Sequence, residues 1–205
     1  LFIVTSGRTA SACEALAYTL HAADRATIVG QRSAGAANPG GMVPLRDGFS
    51  IFVSGGSPVN PITGRNWEGD GVPVDVEAPN ADALRRARAL ALQAILAGSP
   101  GEGAAREAQW ALEALNAEGA TLPTRAAREF VGDYGARRIA LENDRLVLYR
   151  DRRPGLTLTP LGDDLFAVDY AAPLQRVRFE RDARGRVVAL THVLVNGQEF
   201  RNLKL

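Results

Sequence analysis

An α/β layer, a helical linker and a small antiparallel all-β barrel or sandwich are the architecture this sequence predicts, and three observations predict it. Short apolar, β-branched runs alternate with helix-periodic stretches as far as residue 98. A Gly-Ser-Pro-Gly breaker at 98–101 ends that pattern. Beyond residue 130, short apolar runs recur at a spacing of about ten residues with turn residues between them, as in an antiparallel meander. The chain of 205 residues then divides into residues 1–98, a linker at 99–124 and a β-rich domain at 125–205.

The elements follow in order. Residues 1–4 (Leu-Phe-Ile-Val) read as a buried strand, broken by Thr5-Ser6-Gly7. Residues 11–23 place Ala12, Leu16, Leu20 and Ala23 on one helical face. A second apolar run at 26–29 closes a βαβ unit, which requires parallel strands. The runs 42–45 and 49–53 flank Arg46-Asp47-Gly48, a tight hairpin turn. After a Gly/Pro/Asn-rich loop at 54–66, a last strand is expected over 72–76. The next helix, capped by Asn80 or Asp82, aligns Leu84, Ala87, Ala91 and Ile95. Residues 104–118 form the linker helix, with Ala108, Leu112 and Leu115 as its stripe and Gly119 at its end. Strands are then expected at 138–142, 145–149, 156–160, 165–168, 177–179, 187–190 and around 193–195, with turns that include Asn143-Asp144, Gly162-Asp163 and Asn196-Gly197. A chain that opens directly on a core strand is expected to be the downstream piece of a longer protein.

Composition removes several classes of function. Lys and Arg number 24 against 23 Asp and Glu, so no global field favours nucleic acid or an anionic membrane. The first 98 residues balance to zero, the linker carries −3 and the β-rich domain +4. No apolar run approaches the ~18 residues of a membrane span. The single cysteine, Cys13, excludes an internal disulfide or a Cys-based zinc cluster. With only two histidines, His21 and His192, no metal and no cofactor is expected.

Three places can carry chemistry. Ser11 and Glu14 make the Ser-x-x-Glu of a capping box. Alternatively, Ser11 is a nucleophile at a strand–turn–helix junction, with the unpaired N–H groups of Ala12 and Cys13 stabilising an oxyanion. Trp67-Glu68-Gly69-Asp70-Gly71-Val72 can hold the Glu68 carboxylate fixed to orient a histidine or a water; the same residues also read as a plain turn. The segment Gly35-Ala36-Ala37-Asn38-Pro39-Gly40-Gly41 lets backbone approach a ligand closely, with Gly35, Asn38, Gly40 and Gly41 as candidate substrate contacts. Arg8, Arg32 and Arg65 near these loops could meet a substrate carboxylate. A nucleophilic serine needs a base. Lys204 is the only lysine and the penultimate residue. His21 lies ten residues along the same helix, about 15 Å away, and reads as a helix C-terminal histidine; His192 reads as a strand-surface residue. The base is therefore expected upstream of residue 1.

The stretches 1–14 (LFIVTSGRTASACE), 27–41 (TIVGQRSAGAANPGG) and 67–76 (WEGDGVPVDV) resemble the carboxy-terminal half of the tail-specific, or carboxy-terminal-processing, serine protease family. The similarity is greatest to the branch that includes the tricorn core protease and the interphotoreceptor retinoid-binding protein, and it covers residues 1–96. The resemblance implies a ClpP/crotonase-like α/β layer and a serine endopeptidase acting on peptide or protein substrates. It implies Ser11 as nucleophile, the Ala12 N–H as part of the oxyanion hole and Glu68 as the carboxylate supporting a Ser–His arrangement. The lysine of the bacterial processing branch would fall at Ala36, so that mechanism is lost. Pro73 stands one residue further from Asp75 than in the family pattern. Retinoid-binding relatives imply an alternative, a non-catalytic protein carrying apolar ligands on the same scaffold. An extracytoplasmic location is what the family implies, and Ala- and Arg-rich usage suggests a bacterial source. No chemistry attaches to the β-rich tail.

Overall fold

The computed structural model describes residues 1–169 and 174–205. They form two compact units, Leu1–Ala91 and Leu92–Leu205.

The first unit holds β1 (Phe2–Thr5), α1 (Ala12–Ala22), β2 (Thr27–Gly30), a hairpin of β3 (Gly40–Pro44) and β4 (Ser50–Ser54), β5 (Val76–Glu77) and the start of α2 (Ala83–Ala97). β1 and β2 pair in parallel from Phe2↔Thr27 to Thr5↔Gly30, and β5 adds in parallel to β2. The strand expected over 72–76 is reduced to Val76–Glu77. Pro73 has no N–H to give a ladder, and the Asp75 side chain takes over: its Oδ2 accepts the Ile28 N–H at 2.7 Å while the Asp75 N–H donates to the Ile28 carbonyl at 3.0 Å. The other carboxylate oxygen of Asp75 meets His21 Nε2 at 3.0 Å. His21 in the last turn of α1 thus fastens that helix to the strand approach at 75, beyond the dipole role its position suggested.

The core of this unit is small: Ala17, Ile28 and Val72, with Ile3, Tyr18 and Val74 packed against it. Periodicity picked the wrong face of α1. Leu16 is 60 % exposed and Ala12 is exposed, whereas Glu14 and Ala17 are buried. A buried carboxylate does not register as apolar in the pattern, so the stripe was displaced. On α2 the expected Ala87 is buried, together with Ala83, while Leu84 and Ile95 are exposed.

The second unit contains α3 (Glu102–Asn116), a short helix α4 (Thr124–Ala127) with a 3-10 turn over Arg128–Phe130, and eight strands: β6 (Gly132–Tyr134), β7 (Arg137–Glu142), β8 (Arg145–Arg150), β9 (Leu156–Gly162), β10 (Leu165–Val168), β11 (Gln175–Arg181), β12 (Val187–Leu194) and β13 (Glu199–Leu203). They form one antiparallel sheet in chain order. Its two edges meet: Tyr134 bridges Lys204, and the Leu205 N–H donates to the Asp133 carbonyl at 2.9 Å. The choice between barrel and sandwich therefore resolves as a nearly closed barrel, which removes exposed strand edges. The only lysine helps close it, with Lys204 Nζ donating to the Glu129 carbonyl at 2.9 Å.

Strands β6 and β13 had no counterpart in the sequence reading. β6 is three residues long and β13 is polar and exposed, so neither gives an apolar run. The separate runs at 187–190 and 193–195 are one strand, because Thr191 and His192 between them are buried rather than turn residues. Asn143 and Asp144 both take positive φ, as the tight β7–β8 turn requires. The barrel is filled by alternate residues including Phe130, Tyr134, Ile139, Leu148, Phe166, Phe179 and Leu190. Phe130, Phe166 and Phe179 stack edge-on or tilted at 4.7–5.5 Å. On α3, Ala108 and Leu115 are buried, as its stripe required.

His192 is not on the strand surface; it is 5 % exposed inside the barrel. Its Nε2 lies 2.7 Å from Gln175 Oε1 and its Nδ1 lies 3.1 Å from Arg137 Nη2. The guanidinium can only donate, so Nδ1 is the acceptor and Nε2 carries the proton. Burial, reinforced by the charges of Arg137 and Arg150, pushes this imidazole down to about 4 from 6.5. Between those values the unfolded chain binds a proton that the folded one does not. The barrel's stability is therefore intact above pH 6.5 and falls as pH drops toward 4, by about 3 kcal/mol in total. Urea melts at pH 7 and pH 4.5, followed by Trp110 emission in a Trp67→Phe background, check this. The acid loss should shrink in His192→Gln.

Candidate active site

The site is built where β1 and β2 end. The chain leaves β1 at Thr5, turns, and enters α1 through Ser11, which adopts φ 54° and ψ −122°. That is a left-handed region a serine occupies only at a cost of roughly 1–3 kcal/mol. A strained serine on a strand-to-helix turn is the geometry in which a hydroxyl is held out from the backbone. Ser11 is exposed and starts α1. Its side chain stands in capping-box relation to the Glu14 backbone but forms no cap hydrogen bond. The Ala12 N–H, the first of the helix, has no acceptor among the described residues and is also exposed. A hydroxyl and an unpaired N–H thus stand side by side at the positive end of a helix dipole.

What holds the strained turn is Glu14, whose carboxylate is fully buried. Oε1 accepts the Ser33 hydroxyl at 2.5 Å and the Gly35 N–H at 2.7 Å; Oε2 accepts the Ser11 N–H at 2.8 Å and the Ala36 N–H at 2.9 Å. Burial alone would raise this carboxyl. The Ser33 hydroxyl and the three backbone N–H groups outweigh it and hold Glu14 below its ordinary 4.5. Glu14 is thus an ionised hub joining the serine turn to the segment after β2. The capping-box spacing had signalled only one of its four bonds, because the other donors come from residues 19 to 22 positions away.

Glu68 is the second carboxylate on the same segment. Its Oε2 accepts the N–H groups of Ala37 and Asn38 at 2.7 and 2.8 Å. Four consecutive N–H groups, from Gly35 to Asn38, are therefore divided between Glu14 and Glu68, and this brings the Ser11 turn and the acidic loop to one edge of the unit. Glu68 is exposed rather than partly desolvated. Its Oε1 accepts no hydrogen bond among the described residues. The loop behind it is rigid: Trp67 is buried against Tyr18 with ring centroids 5.3 Å apart, and the Gly71 N–H returns to the Trp67 carbonyl at 2.9 Å.

The glycine-rich segment divides into two parts. Gly35 is buried, its N–H is taken by Glu14 and its carbonyl by Gly69, and a Cβ there would lie 3.0 Å from the backbone of Gly69 and Gly71. Asn38 gives its N–H to Glu68 and its Oδ1 accepts from Asn66 Nδ2 at 3.1 Å. Gly40 opens β3, where a Cβ would strike the Val53 carbonyl, and Gly41 follows with open space around it. Arg32 is spent on the Asp70 carbonyl at 3.1 Å, and Arg8 and Arg65 are exposed. The Ala36 N–H serves Glu14.

No described helix is long and apolar enough to cross a membrane. Among curated proteins none matches the chain. Residues 1–78 match the family model described as peptidase family S41. The match spans the serine turn, the Glu14-bound segment and the Glu68 loop, so this part of the chain is similar to peptidase family S41.

Proposed function

We propose that the chain carries the nucleophile of a serine endopeptidase of the tail-specific type, on the downstream half of a ClpP/crotonase-like layer. Ser11 attacks the scissile carbonyl of a peptide or protein substrate. The Ala12 N–H receives the developing oxyanion at the N-terminus of α1. The free Oε1 of Glu68 accepts the N–H of an imidazole and orients it toward Ser11.

That imidazole is contributed by a histidine outside this chain. His21 is committed to Asp75, and both ring nitrogens of His192 are engaged inside the barrel. Gly40 and Gly41 are the positions at which substrate backbone can come close, because the N–H groups of Gly35 and Asn38 are already occupied. Glu14 is a positioning residue that sets the Ser11 turn. The tricorn-like branch agrees with the alanine at position 36. The organisation into 1–98, 99–124 and 125–205 assigns this chemistry to the first of the three segments.

The observation that carries the reading is the left-handed Ser11 turn, held by a buried carboxylate. A fluorophosphonate probe on the full-length protein is expected to label Ser11, with labelling and peptide cleavage lost in Ser11→Ala. Unchanged cleavage by that variant overturns the assignment. The isolated 205-residue chain is expected to have no peptidase turnover.

A further inference from the structure

Arginines in the second unit are, with one exception, neutralised wherever they are withdrawn from water. Arg176 is 8 % exposed and pairs with Glu113 at 2.6 Å. The exposed Arg181 likewise lies between Asp164 at 2.6 Å and Glu129 at 2.7 Å. Arg137 is the exception. It is half-buried, its Nε is buried without a hydrogen-bond partner among the described residues, and its one side-chain bond goes to neutral His192. Residues 170–173, Tyr-Ala-Ala-Pro, contain no carboxylate.

The register adds a second cation. Arg137 pairs directly with Arg150 across β7 and β8, so both side chains leave the same face of the sheet. Successive pairs on that face, Ile139 with Leu148 and Leu141 with Leu146, contribute to the barrel interior. The two arginines therefore sit where the apolar filling ends, at one mouth of the barrel. Like charges directly opposite each other in a sheet are destabilising, and burial together with Arg150 lowers the Arg137 guanidinium from its ordinary value. Asp151, the carboxylate beside this pair, is 3.8 Å from Arg150 Nε with its side chain 65 % exposed, and it offsets one charge of two at most. Meanwhile the His192–Gln175 pair fixes the Arg137 fork through a single Nη2 bond and leaves its buried Nε without an acceptor among the described residues.

We infer that this mouth of the barrel is an oxyanion site, in which a carboxylate or phosphate group is held between the guanidinium of Arg137 and that of Arg150. A planar oxyanion matches the fork of a guanidinium and supplies the acceptors that Arg137 lacks. His192 acts through Arg137: it is a neutral acceptor that orients the fork without consuming its charge. The site stands in the second unit and is independent of the peptidase reading.

The test is titration of the 205-residue chain with sodium acetate and, separately, with inorganic phosphate, against sodium chloride at matched ionic strength. The arginine Nε–H signals in a ¹⁵N correlation spectrum report occupancy. The expected result is a saturable shift of the Arg137 signal with acetate, phosphate or both, the pattern showing which oxyanion chemistry is preferred. In Arg150→Gln, a change at an exposed position, the affinity should fall about tenfold, as for loss of one charge-assisted hydrogen bond. In Arg137→Gln the saturable response should vanish, and Arg150→Gln alone decides the question if that variant does not fold. A response no different from chloride, or unchanged affinity in Arg150→Gln, overturns the inference.

Discussion

Replacing Glu14 by glutamine is expected to destabilise the first unit by about 4 kcal/mol, the range for removing one member of a buried, hydrogen-bonded charge site. The reasoning is one of donors and acceptors. The native carboxylate offers two oxygens, and each receives two hydrogen bonds: Ser33 and Gly35 on one, Ser11 and Ala36 on the other. A glutamine offers one oxygen and one NH₂. Whichever way the amide turns, its NH₂ faces a backbone N–H that then loses its acceptor. The variant keeps the volume of the side chain, so lost packing cannot account for the effect. Urea unfolding followed by Trp67 emission in a Trp110→Phe background measures it, since those are the two tryptophans of the chain. A loss below about 1 kcal/mol, the net worth of a single ordinary hydrogen bond, would show that the four bonds do not act as a buried hub.

The same carboxylate sets part of the acid limb. Glu14 is held below its ordinary 4.5 in the folded state. The unfolded chain therefore takes up the proton first as pH falls. The stability this group contributes is fully present above pH 4.5 and is lost as pH drops through the lower folded value. Glu14→Gln has no such proton to bind, so its residual stability should vary less with pH below 4.5 than that of the parent chain.

Much of this was legible in the sequence, and the failures share a cause. The βαβ order, the hairpin around Asp47 and the meander followed from local signals: apolar runs, Asp-Gly and Asn-Asp turns, glycine breakers. Each concerns residues close together in sequence. The serine turn was also visible as Ser-x-x-Glu before a helix, but the capping and nucleophile readings share that spacing. The left-handed backbone at Ser11, which favours the nucleophile reading, is something no spacing reveals. The burial of His192 and the further three bonds of Glu14 were not visible because a charged or titratable side chain is ordinarily solvated. Both residues are buried here because distant partners satisfy them, and those partners, Ser33 and Gly35 for one, Arg137 and Gln175 for the other, become neighbours only once the sheets form. The short β5 illustrates a further limit, since the Asp75 side chain replaces ladder bonds that a strand would have made.

Substituting Gly71 by alanine should cost about 3–4 kcal/mol, whereas the same change at Gly69, two residues earlier, should cost about 1 kcal/mol. The two glycines are matched in backbone, with φ of +71° and +73°. Both substitutions therefore pay the same penalty for a side chain in the left-handed region. They differ in what the new methyl meets. At Gly69 nothing lies within 4 Å of a Cβ. At Gly71 the Cβ would lie 2.4 Å from the Ser33 carbonyl oxygen and 3.1 Å from the Ser33 carbonyl carbon. Those are backbone atoms, which cannot rotate aside as a surface side chain can. Either residue 71 or residue 33 must move. The adjacent Val72 N–H donates to the Ser33 hydroxyl at 2.7 Å, and that hydroxyl donates to Glu14. A displacement at 71 therefore reaches the Ser11 turn through three hydrogen bonds, the last being that of Glu14 to the Ser11 N–H, without any change to the residues proposed to react. Gly71→Ala in the full-length protein should accordingly lower fluorophosphonate labelling of Ser11 as well as stability, while Gly69→Ala retains labelling. Equal destabilisation by the two substitutions would mean that the Ser33 contact yields freely, and that the acidic loop is not rigidly coupled to the serine turn.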